Sequence, residues 1–227
     1  MSSELLEFIK TNFIIGVYFV TLLISIFSYR KYFDTTLKYF PILIAYTFLN
    51  ELLGHLVRYS DNFAFLTDKL FANDIIYNIY DIFYYGFFYI LYWRLITQQK
   101  YRHWVKILTM LVIASYVVSC FFQNPLKISL FYATSFASVV LVITCILYLI
   151  DKGSNWHWYK EKYNLVWWVT IGLILFHSIF PILFIIGYLP GDTWEKYELQ
   201  TVLRLFILLM YIFFCIGFIK SRKRNFG

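Results

Sequence analysis

The sequence predicts an all-α polytopic membrane protein with seven transmembrane helices, the N-terminus outside and the C-terminus in the cytoplasm. Three observations predict this class. Hydrophobic residues make up 61% of the 227 residues, whereas charged residues make up only 15%. Long apolar runs recur along the whole chain, and Lys and Arg concentrate in alternate connections between them. Ordinary soluble domains carry more charge and fewer apolar residues, so this chain needs lipid as its surroundings.

Each apolar run is long enough for one crossing, because a hydrocarbon core about 30 Å thick takes roughly 20 helical residues. We place the predicted spans near residues 12–29, 39–59, 74–96, 104–122, 129–150, 165–187 and 197–219. Seven such spans with short loops use almost all of residues 1–227, which we therefore expect to form a single transmembrane domain. A soluble catalytic or nucleic-acid-binding domain has no room within these residues, and no nucleic-acid partner is expected.

The predicted orientation follows from the basic residues, since short cytoplasmic loops retain Lys and Arg. Fourteen of the 20 Lys and Arg fall in the first, third and fifth connections and in the C-terminal segment. These are Arg30, Lys31, Lys38, Arg94, Lys100, Arg102, Lys106, Lys152, Lys160, Lys162, Lys220, Arg222, Lys223 and Arg224. We therefore predict a multi-pass protein of the plasma (inner) membrane, with the lipid bilayer as its first partner. The richness in Ile, Phe, Tyr, Lys and Asn is compatible with a bacterial source.

Ionisable and amide side chains inside the predicted spans are the candidate functional residues. Such residues are costly in lipid and face the interior of the bundle or a water-filled cavity. The candidates are Glu51, His55 and Arg58 in the second span, Asn78 and Asp81 in the third, His177 in the sixth and Arg204 in the seventh. Glu51, His55 and Arg58 have i, i+4, i+7 spacing and share one helical face, as Asn78 and Asp81 do on the third span.

We predict that these faces turn toward one another in a polar pocket that opens to the exterior. A rise of about 1.5 Å per residue places Glu51 and His177 near the midplane, and the other charged candidates in the outer half. Glu51 and Asp81 would then neutralise Arg58 and Arg204. This favours a receptor-like or sensory module that binds a small polar or anionic ligand. Signalling would act through a cytoplasmic or membrane protein partner.

Four other interpretations stay open. The first is a carrier of a small solute, coupled to protons through Glu51 or His55. The second is an intramembrane metal-dependent hydrolase with Glu51, His55, Asp81 and His177 as ligands, although no HExxH motif is present. The third is a structural subunit of a membrane complex, and the fourth is a network that only holds the helices in register. A non-enzyme without a cofactor is the favoured class.

A weak internal duplication also relates the two ends of the chain. Spans five to seven can be aligned on spans one to three, which pairs Glu51 with His177 and Asn78 with Arg204. This 3+1+3 arrangement resembles that of the sugar carriers called SWEETs, and a carrier is what the resemblance implies. The Pro-Gln dipeptide of the related PQ-loop proteins is absent. The seventh span has no Lys to hold retinal, which excludes a rhodopsin.

Overall fold

The computed structural model describes the backbone of residues 3–59, 72–153, 164–187 and 193–221, and the side chains of 13–57, 74–153, 164–186 and 193–221. All regular structure within these residues is helical. In the described part of the chain, seven helices have 20 or more residues: α1 (Ser3–Phe27), α2 (Phe40–Tyr59), α3 (Ala72–Leu95), α4 (Gln99–Phe122), α5 (Phe131–Gly153), α6 (Leu165–Gly187) and α8 (Leu199–Lys220). A single turn, α7 (Thr193–Lys196), precedes α8, and two short 3₁₀ segments, Tyr29–Lys31 and Thr36–Tyr39, link α1 to α2.

Five stretches of the described chain are long and apolar enough to cross a membrane. They are Thr36–Val57, Gln99–Phe122, Phe131–Gly153, Leu165–Ile186 and Leu199–Lys220. The described part of α1 contributes a shorter apolar stretch, Phe13–Phe27. Helix α3 is not among the five, and the polar residues Asp74, Asn78 and Asp81 interrupt its apolar run. The all-α membrane class is therefore confirmed, whereas the number of crossings and their orientation stay predictions.

Six of the long helices form a ring. Going round the ring, α1 packs on α2, α2 on α3, α3 on α5, α5 on α6, α6 on α8, and α8 on α1. Helix α4 lies outside it, against α3 and α5, and only 11% of its apolar window is buried in the structure. Its outer surface carries exposed Leu111, Val118 and Phe121, as expected of a helix surrounded by lipid.

One end of the ring is filled by aromatic side chains. Phe40 of α2 packs on Phe88 of α3 and on Phe214 and Phe218 of α8, with ring centroids 5.3–6.1 Å apart. All four side chains are almost completely buried. Tyr92 of α3 adds a 2.8 Å hydrogen bond to Thr170 of α6. The interior is therefore closed at this end by close-packed side chains.

The same end carries most of the described basic residues, and we call it the basic end. It comprises the starts of α2, α4 and α6 and the C-terminal turns of α1, α3, α5 and α8. Lys31, in the connection after α1, donates to the carbonyl oxygens of Phe218 and Ile219, both at 3.1 Å. A cation is favourable there, because the last carbonyl groups of a helix have no partner within the helix. Lys31 thus caps the C-terminus of α8.

A buried carboxylate joins α5 to the start of α4 at the basic end. Asp151 accepts hydrogen bonds from the backbone N–H groups of Thr97 and Gln98 and from the Thr97 hydroxyl, all at 2.9 Å. The two N–H groups lie in the connection immediately before α4. The apolar pattern predicts a start of α4 near residue 104. The contact with Asp151 explains why the helix begins earlier, at Gln99.

Close contact between α6 and α8 depends on Gly217, and we expect Gly217→Ala to destabilise the protein by about 1–3 kcal/mol. A methyl group there would lie 2.8 Å from Leu165 Cδ1 and 2.9 Å from Trp168 Cβ. Gly16 of α1 is the matched control, because a methyl group at that position meets nothing within 4 Å. Gly16→Ala should be neutral or stabilising by up to about 1 kcal/mol, since alanine favours helix.

Unfolding by SDS in mixed micelles, followed by circular dichroism, measures both variants. Equal stabilities for Gly16→Ala and Gly217→Ala would contradict the close approach of α6 and α8.

Candidate functional site

A cavity of about 860 Å³ lies inside the ring, at the end opposite the basic end. We call this the cavity end. It comprises the C-terminal halves of α2 and α6 and the N-terminal halves of α1, α3, α5 and α8. All six helices of the ring contribute side chains to the wall. Side chains from helical positions one or two turns apart, distant in sequence, therefore line the same cavity.

The structure brings six of the seven candidate residues to this cavity. Its lining includes Glu51, His55, Asn78, Asp81, His177 and Arg204. The seventh, Arg58, follows His55 on α2, but its side chain lies outside the described residues. The candidates are therefore neighbours in space, although whether they bind a ligand is a separate question.

Glu51 of α2 has a hydrogen-bond partner on α3 and a residue of opposite charge on α8. The Tyr77 hydroxyl of α3 donates to Glu51 Oε2 at 3.2 Å, and Arg204 of α8 interacts with the carboxylate electrostatically. Gly54, one turn beyond Glu51, leaves the space that Tyr77 occupies, because a Cβ there would lie 2.8 Å from the Tyr77 hydroxyl. Opposite charges on Glu51 and Arg204 offset each other's cost of burial.

Asp81 of α3 has a different environment. Its Oδ2 accepts a hydrogen bond from the Thr134 hydroxyl of α5 at 2.8 Å, and Thr134 is also 3.3 Å from the Tyr116 hydroxyl of α4. The Asp81 carboxylate also interacts electrostatically with the nearby hydroxyl groups of Tyr84, Tyr85 and Tyr116. Among the described residues, no Lys or Arg forms an ion pair with this carboxylate.

His177 of α6 bridges two other helices through both ring nitrogens. Its Nδ1 is 2.9 Å from Ser138 Oγ of α5, and its Nε2 is 3.0 Å from the Tyr84 hydroxyl of α3. Ser138 is in turn 2.7 Å from the Tyr85 hydroxyl. The imidazole is 1% exposed. His177 therefore forms part of the cavity floor and fixes the tyrosines around it.

Asn78 of α3 is occupied by the connection between α4 and α5. Its amide nitrogen donates to the carbonyl oxygens of Pro125 and Ile128, at 2.7 and 3.0 Å, and its oxygen accepts from the Leu130 N–H at 3.0 Å. Asp74, one turn earlier, accepts from the Ser129 hydroxyl. These bonds use the hydrogen-bonding groups of the Asn78 amide, so its contribution is to shape the rim.

The described residues give no support to the metal hypothesis. No group of three or more His, Cys, Asp or Glu side chains within them is arranged to hold a metal ion. The structure describes the side chains of all four proposed ligands, Glu51, His55, Asp81 and His177. They line the same cavity but do not converge on a common point. His177 already uses both ring nitrogens in hydrogen bonds. A metal-bound water would need such convergence.

Tyrosine is the commonest residue type of the described cavity wall, and the charge pattern of the sequence does not predict this. The cavity wall includes Tyr18, Tyr77, Tyr80, Tyr84, Tyr85 and Tyr211. On α3 the signal was available, because Tyr77, Tyr84 and Tyr85 stand at i−4, i+3 and i+4 from Asp81 and so share its face. In a chain with 23% aromatic residues, that spacing was hard to distinguish from ordinary apolar packing.

Comparison of the chain with protein-family models, curated proteins and solved structures found no match.

Proposed function

We propose that this chain is a receptor-like or sensory protein with seven membrane spans, and that its cavity opens to the exterior and binds a small polar ligand. One observation carries the proposal: polar groups from helices distributed over the whole chain line one cavity of about 860 Å³. A volume of this size is typical of sites for small molecules. Ionisable groups within membrane helices are retained mainly where they serve a pathway or a ligand.

The proposed orientation rests on the position of the cavity relative to the basic residues. The cavity and the basic end lie at opposite ends of the ring, and basic connections are favoured on the cytoplasmic side. The N-terminus and the cavity end are accordingly proposed to face outward. The C-terminal end of α8 is proposed to face the cytoplasm of a bacterial cell.

A sensor is favoured over a carrier by the aromatic packing at the basic end. A carrier must open alternately to both sides, whereas Phe40, Phe88, Phe214 and Phe218 fill the space below the cavity. In a sensor, small movements of α6 and α8 at that end would change the surface that binds a cytoplasmic partner. Uptake of a solute into proteoliposomes would instead support the carrier, the second candidate, which the predicted SWEET-like 3+1+3 arrangement favours.

Cysteine accessibility on α8 tests both the cavity and its orientation. In a protein with Cys120, Cys145 and Cys215 replaced by Ala, Ile207→Cys should react with a membrane-impermeant methanethiosulfonate added outside intact cells. Ile207 lines the cavity. Leu205→Cys is the matched control, because Leu205 is 51% exposed on the outer surface of the ring. Only a thiol in water ionises readily to the reactive thiolate, so we expect Ile207→Cys to react about tenfold faster.

Two results would contradict this proposal. Reaction of Ile207→Cys only from the cytoplasmic side would reverse the orientation. Equal, slow reaction of Ile207→Cys and Leu205→Cys from both sides would show that water does not enter the cavity.

A further inference from the structure

Among the described residues of the cavity wall, acidic side chains outnumber basic ones. The lining includes the carboxylates of Asp74, Glu51 and Asp81 and one arginine, Arg204. Arg204 interacts with Glu51, so its charge is already opposed within the protein. Asp74 stands in the first turn of α3, where a carboxylate is stabilised by the helix N-terminus, and it accepts from Ser129. Asp81 is therefore the carboxylate of the described wall that lacks such compensation.

Asp81 also lies deeper than Asp74, by two helical turns or about 10 Å. Its Thr134 hydrogen bond satisfies part of one oxygen. A carboxylate charge without a positive partner is costly away from bulk water. A ligand that brought a positive charge to this position would remove that cost, whereas a ligand with a negative charge would increase it.

The aromatic side chains next to Asp81 suit a cation as well. Tyr84 and Tyr85, one turn after Asp81 on the same face of α3, have ring centroids 5.4 Å apart with the rings at right angles. The faces of aromatic rings attract cationic nitrogen atoms. On another part of the wall, Phe180 packs on Phe176 and Phe184 of α6, with centroids 5.5 and 4.5 Å apart, and provides an apolar surface.

We propose that the ligand of this cavity is a small protonated amine with an apolar or aromatic body, and that Asp81 binds its ammonium group. The Tyr84 and Tyr85 rings lie beside the nitrogen, and the body of the ligand lies against the phenylalanines of α6. This inference rests on the proposed ligand-binding function and names the chemical class of its ligand. It reverses the expectation of an anionic ligand, because Glu51 already opposes the charge of Arg204.

Three probes of similar size test the charge preference: 2-phenylethylammonium, neutral 2-phenylethanol and anionic 3-phenylpropionate. Each is titrated into the purified full chain in lipid nanodiscs by calorimetry. We expect the ammonium ion to bind at least about tenfold more tightly than either of the others, because charge-assisted hydrogen bonds are the strong ones. This comparison uses the unaltered protein and does not depend on how any variant folds.

Substitution of Asp81 then locates the site. Asp81→Asn should weaken binding of 2-phenylethylammonium roughly 10- to 100-fold and leave binding of 2-phenylethanol nearly unchanged. Asp81→Glu keeps the charge and should retain part of the affinity. Asp74→Asn is the matched control, since it removes the same charge from the same helix face; we expect a loss of at most about threefold. Thermal unfolding of each variant checks that it is folded.

Distinct outcomes would overturn the inference. Preference for the neutral or anionic probe, equal losses for Asp81→Asn and Asp74→Asn, or no binding of any probe while Ile207→Cys reacts with external reagent would each overturn the amine assignment alone. A stability loss in Arg58→Gln that Asp81→Asn restores would show that Asp81 is paired within the protein, and would also overturn it. Failure of Ile207→Cys to react would instead refute the proposed function itself.

Discussion

Asp151→Ala is expected to destabilise the folded protein by about 3 kcal/mol, as measured by SDS unfolding in mixed micelles. The side chain is only 5% exposed and accepts three hydrogen bonds, two of them from backbone N–H groups. Its removal leaves the N–H groups of Thr97 and Gln98 without these acceptors at the start of α4. Each buried donor left without a partner costs about 1–3 kcal/mol, and bonds to a charged acceptor are stronger than neutral ones.

Two further variants separate the bonds made by Asp151. Thr97→Val removes the hydroxyl but keeps both backbone donors, so a loss of only about 1 kcal/mol is expected. Asp151→Asn keeps one acceptor oxygen and presents an NH₂ group toward a donor, so its stability should lie between those of the wild type and Asp151→Ala. If Asp151→Ala were no less stable than Thr97→Val, the carboxylate would not be joining α4 to α5.

This contact shows why the class of the fold was predictable although its helix ends were not. Apolar runs of about 20 residues and the scarcity of charge indicate membrane helices from composition and length alone. The start of α4 depends on Asp151, which lies 54 residues after Thr97. Helix α1 likewise begins at Ser3 rather than near residue 12, because its polar first turns do not match an apolar pattern.

For the candidate residues, the general location was predictable from the sequence, whereas the individual contacts were not. The high cost of charge in lipid makes Glu51, Asp81 and Arg204 recognisable as candidates in the sequence, and the structure places them around one cavity. The individual partners could not be predicted, because they depend on which helices are neighbours. The Asn78 amide binds the backbone of the α4–α5 connection, and nothing in the sequence around Asn78 indicates that contact.

His177→Ala is expected to produce a second large loss of stability, again about 3 kcal/mol. The imidazole is 1% exposed and packs between Tyr84 and Tyr85, with ring centroids 5.6 Å from each. Truncation removes these contacts and leaves the hydroxyls of Tyr84 and Ser138 without the ring nitrogens. Loss of packing and of buried hydrogen bonds both contribute to an effect of this size.

Asparagine and glutamine at position 177 distinguish the two hydrogen bonds, because their amides approximate the positions of Nδ1 and Nε2. His177→Asn should keep the bond to Ser138, and His177→Gln the bond to Tyr84. In double-mutant cycles, Ser138→Ala should therefore couple to His177→Gln and Tyr84→Phe to His177→Asn, each by about 1 kcal/mol. A histidine that merely filled space would show neither coupling, and His177→Phe would then be tolerated. We expect His177→Phe to be destabilising, because both hydroxyl groups would face a ring that has no nitrogen.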